Sequence, residues 1–192
     1  MGTNTSHRMI VTVYVGMMAA MIFVATFFFK FEIETPTGPV MIKTANILCL
    51  LAGMLFGGLY GGLAAGIGSM MFDLLNPKYV ATAPFTLVFF FAMGFVCGTI
   101  SHSCGAKGEK MTLNAVGATL GALSYFLLNA ARNILTLTLA GSTFNAALIA
   151  NSTKLVVSAI NMPVGIIGAL IVYQMVYGPL KSAGVLGKFK KN

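Results

Sequence analysis

Arg132 is the residue whose position most needs a reason, because it stands inside a long run, Met111 to Ala140, that is otherwise uncharged and largely apolar. A cation in the middle of a membrane helix costs roughly 2.5–3.5 kcal/mol on insertion scales. That cost is offset either by a functional partner or by snorkelling of the long side chain to the interface. The local sequence is polar: Asn129 and Asn133 share one helix face, with Arg132 next to it. Lys154, with Asn151 and Ser158 one turn away on either side, makes a second polar face near the start of the last apolar run. Two cations flanked by amides suit a small polar or anionic ligand, held by charge-assisted hydrogen bonds. Asp73, Lys43, Asn46 and Tyr125 are further candidate ligand contacts. Glu32 and Glu34, with Pro36, Gly38 and Pro39 shaping the loop around them, form a candidate lid, and Asn76 and Lys78 line another loop.

Catalysis is a poor fit to this residue set. The chain has no Gly-x-Ser-x-Gly elbow, no His-Glu-x-x-His and no Walker A loop. Acid–base groups are nearly absent from the apolar runs, which leaves Asp73 and His102 to serve alone. His102-Ser-Cys104 with Cys97 nearby lacks a fourth ligand at a usual spacing, so no metal and no cofactor is expected. Cys49, Cys97 and Cys104 are an odd number, two of them within apolar runs, and imply no disulfide framework.

The elements that must position these groups are membrane helices. Of the 192 residues 57% are hydrophobic and 8% charged, against roughly 25% charged in soluble domains. The formal charge of +8 comes from basic residues placed singly or in short runs at the borders of apolar stretches. That placement follows the positive-inside rule and argues against nucleic acid as a partner. A helix needs about 20 apolar residues to cross a bilayer. The first run, Met9 to Phe29, starts after His7 and Arg8 as a signal peptide would, but lacks a small-residue cleavage site and reads as a retained helix. Lys30 to Pro39 reads as a polar loop.

Thr44 to Phe72 is too long for one upright helix and short for two. Two short or tilted helices turning at Gly57-Gly58 are preferred over one long tilted helix. The expected helices are 9–29, 44–57, 59–73, 79–101, 111–140 and 151–178, a single all-α transmembrane domain with a loop at Gly141 to Asn145. Counting basic residues places the Ser101 to Lys110 loop and the C-terminal tail in the cytoplasm, while five or six helices satisfy the count equally.

From Glu34 to Ile100 the chain resembles the substrate-binding S component of energy-coupling factor (ECF) vitamin transporters, of the riboflavin type. The carrying residues are Glu34-Thr-Pro-Thr-Gly-Pro39, the glycine-rich Leu55-Phe-Gly-Gly-Leu-Tyr-Gly-Gly-Leu-Ala-Ala-Gly-Ile-Gly-Ser69, Phe72-Asp-Leu-Leu75 and Ala83-Pro-Phe-Thr86. The resemblance implies a six-helix bundle in a prokaryotic plasma membrane with both termini cytoplasmic. It implies a site on the outer side that captures a vitamin or related micronutrient. Lys43 and Asn46 depart from the residues common in the family at positions where members contact ligand, and Gly58 stands where proline is common. It also implies that Gly16 and Ala20, a small-xxx-small pair in the first helix, dock on a membrane-embedded coupling subunit that works with two ATPase subunits. The reading from a different class is a stand-alone small secondary carrier or channel, which inverted repeats would favour; none is found.

Overall fold

The computed structural model describes residues 2–33, 40–106 and 108–183. The lid residues Glu34, Pro36, Gly38 and Pro39 lie outside the described residues, as do the side chains of Glu32 and Lys43. Among the described residues seven α-helices follow the apolar runs: α1 (Gly2–Phe28), α2 (Ala45–Phe56), α3 (Gly58–Leu75), α4 (Ala83–Ser101), α5 (Met111–Leu139), α6 (Phe144–Ala150) and α7 (Ser152–Ser182). Five of them, α1, α3, α4, α5 and α7, are long and apolar enough to cross a membrane. Helix α2 has 12 residues, about 18 Å of rise, and is short of the hydrocarbon thickness on its own.

Two local features differ from the sequence expectation. The segment after α1 is a two-stranded antiparallel ribbon, β1 (Lys30–Ile33) with β2 (Val40–Lys43), pairing Lys30 with Lys43 and Ile33 with Val40. The bundle is therefore not purely helical. Strand β1 alternates polar and apolar residues while β2 is apolar up to Lys43, and Pro36 and Pro39, which cannot donate to a ladder, fall between them in sequence. Thr44 closes the base of the ribbon, its Oγ1 donating to the Phe29 carbonyl at 2.5 Å. The second difference is α6. Thr143 caps it, its Oγ1 accepting from the Ala146 amide at 3.4 Å, so one extra helical turn pair stands where a loop was expected before α7.

Gly57 separates α2 from α3 at φ 83°, a backbone region open to glycine at no steric cost. The two halves need such a turn because α2 is buried nearly all round: Ala45, Asn46 and every residue from Cys49 to Phe56 are covered. A helix that is apolar on all sides belongs inside a bundle. It packs against α1, α3, α4, α5 and α7, with Leu50, Met54, Phe90, Met93 and Ile22 fully enclosed around it. Small residues set the spacing. A methyl group built on Gly61 would stand 2.5 Å from the Gly53 Cα and 2.6 Å from the Ala52 carbonyl oxygen, so α2 and α3 touch backbone to backbone. Without a hydrophobic driving force between helices in lipid, such close van der Waals contact is a main source of cohesion.

At the end of the bundle carrying the Ser101 to Lys110 loop, the loop is tied to its neighbours through Gly108. Its carbonyl accepts from Asn114 Nδ2 at 2.8 Å and from the Tyr173 hydroxyl of α7. Glu109 and Lys181 pair at 3.5 Å across the same gap with both side chains well exposed, a bond worth at most about 1 kcal/mol.

Candidate functional site

Helices α5 and α7 run side by side in opposite directions, and two hydrogen bonds set which residues face each other. Asn129 Nδ2 donates to Ser158 Oγ at 3.5 Å. One turn further along, Asn151 Nδ2 donates to the Asn133 carbonyl at 3.3 Å and to the Ala147 carbonyl at 3.0 Å. Arg132 and Lys154 fall between these two levels, on facing helices. The Arg132 guanidinium lies over the Phe85 ring of α4, 4.9 Å from its centroid. Its Nε is buried with no hydrogen-bond partner.

Between the helices is a narrow cleft whose enclosed volume is about 10 Å³, room for about one water as the helices stand. Asn46 of α2, Tyr125 of α5, and Ser158 and Asn161 of α7 supply its polar lining. Leu50, Met93, Phe126 and Met162 form apolar walls. Tyr125 is braced by Phe90, ring centroids 4.7 Å apart, which leaves a fixed aromatic surface. The Asn46 side-chain carbonyl oxygen is buried and has no hydrogen-bond partner. An unpaired buried acceptor costs about 1–3 kcal/mol, and a ligand N–H or O–H entering the cleft would recover that cost. Gly165 lets α7 close on this point: a methyl there would sit 3.2 Å from Asn46 Cβ.

The residues singled out in the sequence therefore separate into three groups. Asn46 and Tyr125 line the cleft, and Asn129 reaches its wall through Ser158. Arg132 and Lys154 stand about one turn beyond it, toward the α6 end. Asn151 and Asp73 lie outside the cleft lining, and one Asp73 oxygen, Oδ1, is buried without a hydrogen bond. Asn151 is 1% exposed and spends its amide on backbone carbonyls. Asp73, also 1% exposed, accepts from Thr86 Oγ1 at 2.5 Å, joining the end of α3 to the start of α4. Thr86→Val should cost about 1–3 kcal/mol, read as a lower thermal unfolding midpoint in detergent with solute binding retained. Lys43 is placed only by its backbone, at the end of β2 beside the start of α2.

Asn161 was not legible as a site residue. The signal for it was present: Ser158, Asn161 and Gly165 recur at three- and four-residue spacing, one face of an otherwise apolar helix. On α1, Gly16 and Ala20 both face outward, and a methyl built on Gly16 meets nothing within 4 Å. The helix buries its other side, Met18, Ala19 and Ile22.

The description of the ECF-type riboflavin transporter S component matches residues 6–178 of the chain, from within α1 to near the end of α7. The chain belongs to that S-component family. No curated protein matches it. As an S component it is a multi-pass membrane protein of vitamin uptake, from a family of transporters and not of enzymes.

Proposed function

We propose that this S component captures a vitamin-like solute of the riboflavin class in the cleft between α2, α5 and α7, and releases it inward when coupled to an ATP-driven ECF module. The observation that carries this reading is the Asn46 carbonyl, a buried acceptor left open at the wall of a cleft that also holds Tyr125 and Asn161. A braced aromatic face with amides and a hydroxyl around it suits a flat heterocycle whose edge bears donors and acceptors. Among the described residues the cleft is lined by uncharged side chains, which suits an uncharged ring.

The orientation follows from charge. With Lys110 and Lys181 in the cytoplasm, α5 runs outward and α7 inward, and the cleft opens toward the outer face. An N-terminus on the cytoplasmic side as well requires α2 to complete a sixth crossing, since five spans alone leave it outside. The exposed Gly16 and Ala20 give α1 a surface on which a coupling subunit can close, with two ATPase subunits behind it.

Native mass spectrometry of the detergent-purified protein tests the capture. A flavin-type molecule bound one to one supports it, and Asn161→Leu combined with Asn46→Leu should then weaken binding at least about 10-fold, one lost hydrogen bond to a buried group or more. Transport by the protein alone in liposomes, with no bound molecule, would overturn it.

A further inference from the structure

We infer that α7 is hinged at Pro163, and that its outer half, residues 152–162, swings as the gate through which a solute enters the cleft. The inference rests on the cleft being the capture site.

A gate is required because the cleft is closed. Its enclosed volume is about 10 Å³, so no ring system enters until a wall moves. Helices α2, α4, α5 and α7 form the walls, and three of them are fixed. Helix α2 is covered nearly all round. Helices α4 and α5 touch backbone to backbone: a methyl built on Gly121 would stand 2.6 Å from the Met93 carbonyl oxygen, and one on Gly117 would stand 2.7 Å from that of Cys97. Contact this close between helices is a main source of cohesion in lipid. The remaining wall is α7, which supplies Ser158, Asn161, Met162 and Gly165.

Helix α7 is held unevenly along its length. Beyond Pro163, Gly165 and Gly168 let it close on α2, where added methyls would meet the Asn46 Cβ at 3.2 Å and the Ile47 Cδ1 at 2.5 Å. Ala169 and Tyr173 are buried there, and the Tyr173 hydroxyl donates to the Gly108 carbonyl. Before Pro163, two amide bonds join α7 to α5, Asn129 Nδ2 to Ser158 Oγ at 3.5 Å and Asn151 Nδ2 to the Asn133 carbonyl at 3.3 Å. Both exceed the usual span of N–H···O distances, so they form a latch that opens at small cost.

Pro163 stands where the two regimes meet. It has no N–H, so the helical bond to the Ala159 carbonyl is missing, and its ring crowds that carbonyl. Ala159 and Pro163 are both exposed, while Asn161 and Gly165 are buried on the cleft side. The missing bond therefore lies on the face turned away from the cleft. A helix interrupted there bends about its intact side, which carries residues 152–162 toward α5 or away from it.

Opening can be read without any solute. Ala122 lies on the α5 wall of the cleft and is buried. In a Cys104→Ser background, which removes the exposed thiol and keeps the buried Cys49 and Cys97, Ala122→Cys would be reacted in nanodiscs with a charged methanethiosulfonate. The rate is taken relative to the background chain. Pro163→Ala supplies the missing bond and is expected to slow labelling roughly 3- to 10-fold, the factor carried by one hydrogen bond. Asn129→Ala releases the latch and should speed labelling by a similar factor. Pro179→Ala, at the other proline within α7, should leave the rate unchanged. Riboflavin association and dissociation, followed by flavin fluorescence, should slow together in Pro163→Ala, with equilibrium affinity kept.

Labelling as fast or faster in Pro163→Ala would overturn the hinge, a loosened fold included, since that exposes the reporter. An equal effect of Pro179→Ala would overturn it as well. If the wild type bound no riboflavin while the labelling order held, the capture reading would fall and the hinge would stand.

Discussion

Replacing both Gly16 and Ala20 with phenylalanine is expected to reduce coupled uptake to background while solute binding stays at the wild-type level. The expectation comes from where the two residues point. Both are exposed on α1, and Gly16 has open space where a side chain would grow, so larger groups there displace nothing in the bundle. The stretch between α1 and α3 packs through the opposite side, where Gly68 meets Ala19 and Ile22. What phenylalanine removes is the flat strip on which another helix can approach closely. The measurement is a pair: vitamin uptake by cells that co-express the coupling and ATPase subunits, and equilibrium binding to the purified S component. Normal uptake by the double variant would show that α1 is not the coupling surface. Loss of both activities would point to a folding defect that the structure does not predict.

The second large effect is on the fold. Gly61→Leu is expected to yield no monodisperse protein, and Gly61→Ala to unfold at a clearly lower temperature. The nearest atoms to an added methyl are backbone atoms of Ala52 and Gly53, at 2.5 to 2.7 Å. Backbone in a helix cannot swing aside as a flexible side chain does. Because α2 is enclosed on nearly all sides, moving it away from α3 would press it into α4 or α7. Overpacking a core usually costs 1–3 kcal/mol, and this site belongs at the upper end, about 6–12 °C in midpoint for a chain of this size. Gly178→Ala is the control: that glycine lies in α7 with nothing within 4 Å, and alanine there should leave the midpoint unchanged or raise it slightly. If Gly61→Ala behaved like the control, α2 and α3 would not be in backbone contact in the membrane.

Loss of the Thr86 to Asp73 bond, by contrast, is a modest effect, because one hydrogen bond to a carboxylate is removed and the helices keep their contact. The two amide substitutions in the cleft act on binding and not on the fold. These substitutions separate the parts of the molecule that hold it together from those that hold a solute.

The membrane character of this protein was legible in one dimension, and so was its family. Apolar runs bounded by Arg8, Lys30, Lys78 and Lys110 state their own length, and length against bilayer thickness is the whole argument for a crossing. The glycine-rich stretch and the Pro-Thr-Gly loop carry the family because local backbone constraints recur in order along the chain. Arg132 and Tyr125 stood out for the same reason, as polar groups against an apolar background. What such reading cannot supply is the partner of a side chain on another helix. Asn151 and Asn46 are alike in sequence terms, each an amide near a helix start, yet Asn151 closes on two backbone carbonyls while Asn46 keeps its oxygen open beside a cleft. Asp73 read as a ligand contact in sequence, and the structure adds that one of its oxygens accepts from Thr86 of α4 while the other is buried without a hydrogen bond. The ribbon and α6 were missed because short elements depend on pairing and capping more than on periodicity. Composition and order decided that the chain enters the membrane and what kind of protein it is. Only packing decided which of its few polar groups remain unspent, since a hydrogen bond between helices depends on their rotation and depth relative to each other.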